Sequence, residues 1–145
     1  MGATSLLNPK RMRVLAIDVG EKKIGLAIGD SETRMAFVRP AILVSLWSEA
    51  WPELLSLVAA EHIETIIVGW PMHANGSHSE QSSRVQEFID AWKQRSSVPI
   101  IKRDERNTSV AVQREQQRAG RKLQRGEEDS LAAQLLLESY LSERP

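Results

Sequence analysis

The distribution of apolar positions changes period along the chain. Val14, Leu15, Ala16 and Ile17 run without a polar interruption, as expected of a central strand covered on both faces, and residues 13–18 form the first predicted strand. After the turn "GEKK", residues 24–29 alternate Ile24, Leu26 and Ile28 with Gly25, Ala27 and Gly29. This alternation makes one bulky face and one nearly bare face, where something can approach the backbone closely. The short link makes the pair an antiparallel hairpin. Residues 35–44 are a third strand, and Pro40 within it assigns it to a sheet edge, because proline cannot complete a central ladder.

Helical spacing then takes over. "SEAWPELLSLVAAEH" predicts a helix with Ser48 as N-cap, Pro52 in the first turn, and Trp51, Leu54, Leu55 and Val58 on one face. "TIIVGWP" is a buried strand, "MHANGSHSEQ" a polar loop, and the helix after it carries Val85, Phe88, Ile89 and Trp92 at helical spacing. "VPIIKRDE" is the last strand, and two helices split by "GRKLQRGEE" finish the chain. Three hairpin strands followed by helix, strand, helix, strand and helices imply an α/β domain with a mixed sheet. Residues 1–12 read as a loose basic arm ahead of a single domain over 13–145, a length that supports one core and not two.

Composition excludes more than it suggests. Lys plus Arg and Asp plus Glu are both 19, so any nucleic-acid signal must come from local charge. The absence of cysteine removes disulfides, thiolate metal sites and cysteine nucleophiles. No apolar run approaches the ~20 residues of a membrane span. "MGATSLLNPKRMR" is too weakly apolar for a signal peptide and has Leu6 where myristoylation requires Ser or Thr, so a cytoplasmic protein is expected. The glycosylation patterns at Asn75 and Asn107 then carry no meaning.

Asp18, where the first apolar run ends, raises the chemical question: a buried lone carboxylate costs several kcal/mol unless something positive meets it. Ligands of open α/β sheets bind near the carboxyl ends of parallel strands. Asp18 ends one such strand, and Asp104 and Glu105 end another. Side-chain alternation lets only one of the latter two join Asp18. Asp129 stands with Glu127 and Glu128 at the start of the final helix, where the helix dipole favours an ionised acid. Converging carboxylates repel one another, so some would be forced neutral unless a divalent cation compensates, and oxygen-only ligands favour Mg²⁺ or Mn²⁺ over zinc. Each acid also has a structural reading, Asp129 as a helix cap above all.

Residues 102–125 hold eight basic residues (Lys102, Arg103, Arg106, Arg114, Arg118, Arg121, Lys122 and Arg125) against three acids, Asp104, Glu105 and Glu115. Such a patch suits nucleic-acid backbone, and equally a solvated helix face. His62, His73 and His78 lack ligand spacing and are expected at the surface. Trp47, Trp51 and Trp92 are expected in the core or at an interface, with Trp70 as the exception that could stack on a base.

"AIDVGEKKIGLAIGD", "TIIVGWPMHANGS", "KRDERNTSV" and "EDSLAAQLLLESYL", in this order, resemble the YqgF/RuvX family, and the resemblance covers residues 13–142. It implies an RNase H-like fold with a five-stranded mixed sheet and helices on both faces, related to Holliday-junction resolvases. It also implies a divalent-metal nuclease that matures the 5′ end of pre-16S ribosomal RNA. The family's acidic positions fall on Asp18, Glu105 and Asp129, which settles Glu105 over Asp104. Lys22, Lys23, Arg106, Arg121, Lys122 and Arg125 are the expected nucleic-acid contacts. Departures from the family pattern are Glu21 for Thr, "GWPM" for "GLPL", and Ala111 for an acid; they bear on substrate preference.

The expected partner is structured RNA, without a membrane, for a monomer or homodimer. A branched-DNA resolvase is the first alternative, and a catalytically idle nucleic-acid-binding module the second. The opening motif also resembles the phosphate loop of sugar kinases and actin-like ATPases, but those need two such domains.

Overall fold

The computed structural model describes residues 11–70, 80–104 and 126–143. Five strands, β1 (Arg13–Val19), β2 (Lys23–Asp30), β3 (Ala36–Leu43), β4 (Thr65–Trp70) and β5 (Ile100–Asp104), form one sheet in the order β3-β2-β1-β4-β5. β1 pairs antiparallel with β2 and parallel with β4, and β4 pairs parallel with β5, so the expected mixed sheet is present. The described helices are α1 (Trp51–Ala60), α2 (Glu80–Lys93) and α3 (Leu131–Glu143).

Alternation along the strands builds two cores. Leu15, Ile17 and Val19 of β1 pack with Ile24, Leu26 and Ile28 of β2 beneath α1 and α2, which supply Trp51, Leu54, Val58, Val85, Phe88, Ile89 and Trp92. Val14, Ala16 and Ala27 form the second core with Ala133, Leu136, Leu137 and Leu141 of α3. β1, apolar on both faces, is the strand between them. The Trp51 and Phe88 rings stack at 5.0 Å, Trp47 meets both edge-on and Trp92 lies 6.1 Å from Trp51, so Trp51 and Trp92 are core residues and Trp47 is half-buried against them.

Several local expectations change. Ser48 does not cap the first helix: a 3₁₀ turn, Trp47–Ala50, precedes α1, whose N-cap is Ala50. The carboxylate of Glu49 accepts hydrogen bonds from the N–H groups of Ser45 and Leu46 at 2.8 and 3.1 Å, so it is Glu49 that ties the entry of the 3₁₀ turn. Leu55 is half-buried and packs against the same core as Trp51, Leu54 and Val58, so the expected face is present. β3 is the edge strand that Pro40 indicated, with Met35 and Val44 just outside it.

The β2–β3 hairpin closes on Asp30, whose carboxylate accepts from the Thr33 and Glu32 N–H groups at 2.8 and 3.0 Å and from the Thr33 hydroxyl at 3.2 Å. Burial pushes the Asp30 carboxyl up, but these hydrogen bonds and the nearby Arg11 charge outweigh it and hold the group below its usual value. The N-terminal arm up to residue 10, the loop with His73, Asn75 and His78, and the basic segment 105–125 with Asn107, Ala111 and the first of the two final helices lie outside the described residues.

Candidate active site

Asp18 follows Val14 and Ala16 at period two, so it lies on the α3 face of β1. It is half-buried, and its partner across the ladder is Gly25. A Cβ at Gly25 would stand 2.6 Å from the carbonyl oxygen of Asp129 and 3.2 Å from Ser130 Cα. What approaches the bare face of β2 is therefore the chain's own turn Glu127–Ser130, the 3₁₀ turn that leads into α3. Glycine opposite Asp18 is thus the seat on which the backbone of Asp129 rests, and this brings two acids far apart in sequence to one place.

Polar groups freed by an irregular edge hold this turn down. The pairing of β2 with β3 shifts register between Ile24 and Leu26, opposite the segment with Pro40. There the Leu26 N–H donates to Ser130 Oγ at 2.9 Å, and the Ala41 N–H donates to the Gly126 carbonyl at 3.2 Å. Gly126 has φ of 88°, a conformation glycine adopts without strain. One turn into α3, Gln134 Nε2 donates to the Ala36 carbonyl at 3.1 Å. Ser130 and Gln134 are both essentially inaccessible, so each hydrogen bond satisfies a group that would otherwise be orphaned. Sequence reasoning missed both residues. Their signal was a pair of polar residues four apart on the otherwise apolar stripe of the last helix.

The positive charge in the site comes from β2. Lys23, on the same face as Gly25, places Nζ 2.8 Å from Asp129 Oδ1, with the lysine side chain 53% and the aspartate side chain 28% exposed. Lys22 is exposed at the hairpin tip beside Glu21. At the neighbouring strand ends the alternation separates the candidates. Ile100 packs into the α1/α2 core and Lys102 Nζ lies 4.1 Å from the centroid of the Trp70 ring, so Asp104, in phase with them, belongs to the face opposite Asp18. Trp70 itself is half-buried against that core.

Arg103, counted in the basic patch, is occupied elsewhere: its guanidinium donates to Ser139 Oγ at 2.8 Å, forms an ion pair with Glu143 and lies 5.7 Å from the Tyr140 ring. His62 is exposed, as expected. Glu105, Arg106, Arg121, Lys122 and Arg125 lie outside the described residues. Among the described residues no three acids or histidines converge on one metal position. Asp18 and the turn that carries Asp129 lie on the same face of the sheet, both residues offer oxygen donors, and Asp129 already holds the Lys23 ammonium, a donor chemistry that suits a hard cation.

No helix among the described residues is long and apolar enough to cross a membrane. The family model described as "RuvX: Holliday junction resolvase" matches residues 12–143. A provisionally named pre-16S rRNA nuclease of Chloroflexus aggregans is 35% identical over 133 residues, covering 90% of this chain and 94% of that protein. Its counterpart in Thermoanaerobacter pseudethanolicus is also 35% identical, with coverage of 90% and 96%. Among solved structures, Thermus thermophilus RuvC superposes with a TM-score of 0.57 at 12% identity, covering 90% of this chain and 97% of that one. A Fowlpox virus resolvase bound to Holliday-junction DNA gives 0.55 at 16% identity, with coverage of 90% and 97%. These two likenesses concern the fold, and they agree with the RNase H-like sheet described above. From its sheet, the acids seated on it and a match across nearly its whole length, the chain belongs to the RuvX family.

Proposed function

We propose that this protein is a divalent-metal-dependent nuclease that hydrolyses phosphodiester bonds in precursor 16S ribosomal RNA, at the 5′ end of the mature sequence. The observation that carries this reading is the seating of the Asp129 turn on Gly25, directly across the ladder from Asp18, at the carboxyl ends of the parallel strands. The names of the relatives supply the RNA.

Asp18, Glu105 and Asp129 would hold Mg²⁺ or Mn²⁺, which supplies charge neutralisation and a more acidic bound water when present. Asp104 belongs to the face opposite Asp18, which supports Glu105, the acid the family resemblance names, as the ligand from that strand end. Lys22, Lys23, Arg106, Arg121, Lys122 and Arg125 hold phosphates of the strand to be cut; contacts of this kind position a backbone without reading sequence. Water adds across one P–O bond, leaving a phosphate monoester on one product and a hydroxyl on the other. The protein acts in the cytoplasm on structured RNA, as a monomer or homodimer.

The family description supports a second reading, a homodimeric resolvase of four-way DNA junctions. Purified protein is incubated with Mg²⁺ or Mn²⁺ and offered a precursor rRNA fragment and a four-way junction side by side. Metal-dependent cleavage of the RNA alone is the expected result. Symmetric nicking of the junction instead establishes the resolvase, and binding without cleavage of either substrate establishes a nucleic-acid-binding module.

A further inference from the structure

We propose that Lys23 is a built-in counter-charge for Asp129, which a divalent cation displaces, so that the freed ammonium turns to a substrate phosphate. The inference rests on the metal-centre reading above and deepens it. Lys23 is the first residue of β2, on the face that carries Gly25, and its Nζ lies 2.8 Å from Asp129 Oδ1. The backbone of Asp129 is held in place, resting against Gly25 with its neighbour Ser130 hydrogen-bonded to Leu26, so the acid stays at this end of the sheet.

The lysine is different: it is half exposed, on a flexible four-carbon stem, and can swing away. An ion pair this exposed is weak, worth at most about 1 kcal/mol, so it neutralises the acid without locking the site. A dication arriving at Asp129 meets two obstacles, an occupied carboxylate oxygen and a nearby like charge. Both act in the same direction. Removing the charge therefore tightens metal binding, by roughly three- to tenfold for a screened unit charge at this range. A lysine that served only as a phosphate contact would leave metal affinity unchanged and weaken nucleic-acid binding alone.

The test measures Mn²⁺ binding by electron paramagnetic resonance on intact protein without nucleic acid, for wild type, Lys23→Met, Lys23→Arg and Asp129→Asn. The expected result is tighter Mn²⁺ binding in Lys23→Met, near-wild-type binding in Lys23→Arg, and loss in Asp129→Asn. The second measurement is affinity for a 2′-O-methyl RNA oligonucleotide with and without Mn²⁺. Added metal should strengthen this binding more in wild type than in Lys23→Met, since coupling between two ligands is reciprocal. Specific Mn²⁺ binding that is unchanged or weakened in Lys23→Met overturns the counter-charge while leaving the metal centre standing. Equal strengthening of RNA binding by metal in both proteins overturns the transfer to phosphate. Absence of specific Mn²⁺ binding in wild type overturns the metal centre and this inference together.

Discussion

Replacing Gly25 by alanine puts a methyl carbon 2.6 Å from the Asp129 carbonyl oxygen and 3.2 Å from Ser130 Cα. Ordinary contact begins near 3.4 Å, so the turn has to retreat by about 0.8 Å, and the obstacle is backbone that no rotamer change can move aside. That retreat stretches the 2.9 Å hydrogen bond from the Leu26 N–H to buried Ser130 Oγ, whose loss costs about 1 kcal/mol. Overpacking adds about 1–3 kcal/mol, and the lower unfolded-state entropy of alanine returns roughly 0.5–1 kcal/mol. The net expectation is a loss of about 1–3.5 kcal/mol, read from urea unfolding.

The functional effect should exceed the stability effect, because a displacement of about 1 Å at a reacting centre is worth roughly a hundredfold in rate. Gly29→Ala is the control. It collides with the Met35 carbonyl and with Leu137 and Leu141, away from Asp129, so it should destabilise comparably while the folded protein keeps its Mn²⁺ affinity and cleavage rate. A Gly25→Ala protein with wild-type stability, metal affinity and cleavage would refute the claim that this glycine seats the acid.

Other residues give independent tests. Ser130→Ala leaves the buried Leu26 N–H without its acceptor and should lower stability by about 1–3 kcal/mol in urea unfolding, with Mn²⁺ binding weakened as the turn loosens. Trp92 is fully buried in the aromatic cluster and donates through Nε1 to the Val98 carbonyl at 3.0 Å. Trp92→Ala should cost about 3–5 kcal/mol, visible as a lower denaturation midpoint. The Asp30 carboxyl sits below its ordinary value, so its stabilisation is present above the unfolded value of 3.8 and is lost as pH falls through the lower folded value. The stability gap between wild type and Asp30→Ala should be level from neutral pH down to about 5 and shrink below about 4. A gap that widens on acidification would contradict that sign.

The sheet was legible because its strands announce themselves by burial: β1 as an unbroken apolar run, β2 by alternation, and β3 as an edge through Pro40. The face of Asp18 followed from the same period, since residues 14, 16 and 18 share a side. The identity of what covers the bare face of β2 did not follow. Gly25 records that something comes close, but a glycine does not say what, and the answer lay 104 residues away at Asp129.

Charge was harder still. Lys23 reads as a phosphate contact and Arg103 as part of a basic patch, yet both meet acids 106 and 40 residues distant. Such pairings depend on which helix covers which face, and local pattern does not encode that. Ser48 failed as a cap because the chain is already turning there: a 3₁₀ turn over Trp47–Ala50 leads into α1, and Glu49 accepts from the N–H groups of Ser45 and Leu46 at its entry.

The most direct test of the central claim is cleavage of a precursor 16S rRNA fragment in Mg²⁺ or Mn²⁺ by wild type and by Asp18→Asn, with urea unfolding run on both proteins. Asp18 is half-buried at a strand end, and asparagine matches its shape, so the fold should survive while one anionic ligand is lost. The account predicts metal-dependent cleavage by wild type and background cleavage by a variant that unfolds at the same denaturant concentration. An Asp18→Asn protein that cuts at the wild-type rate would contradict it.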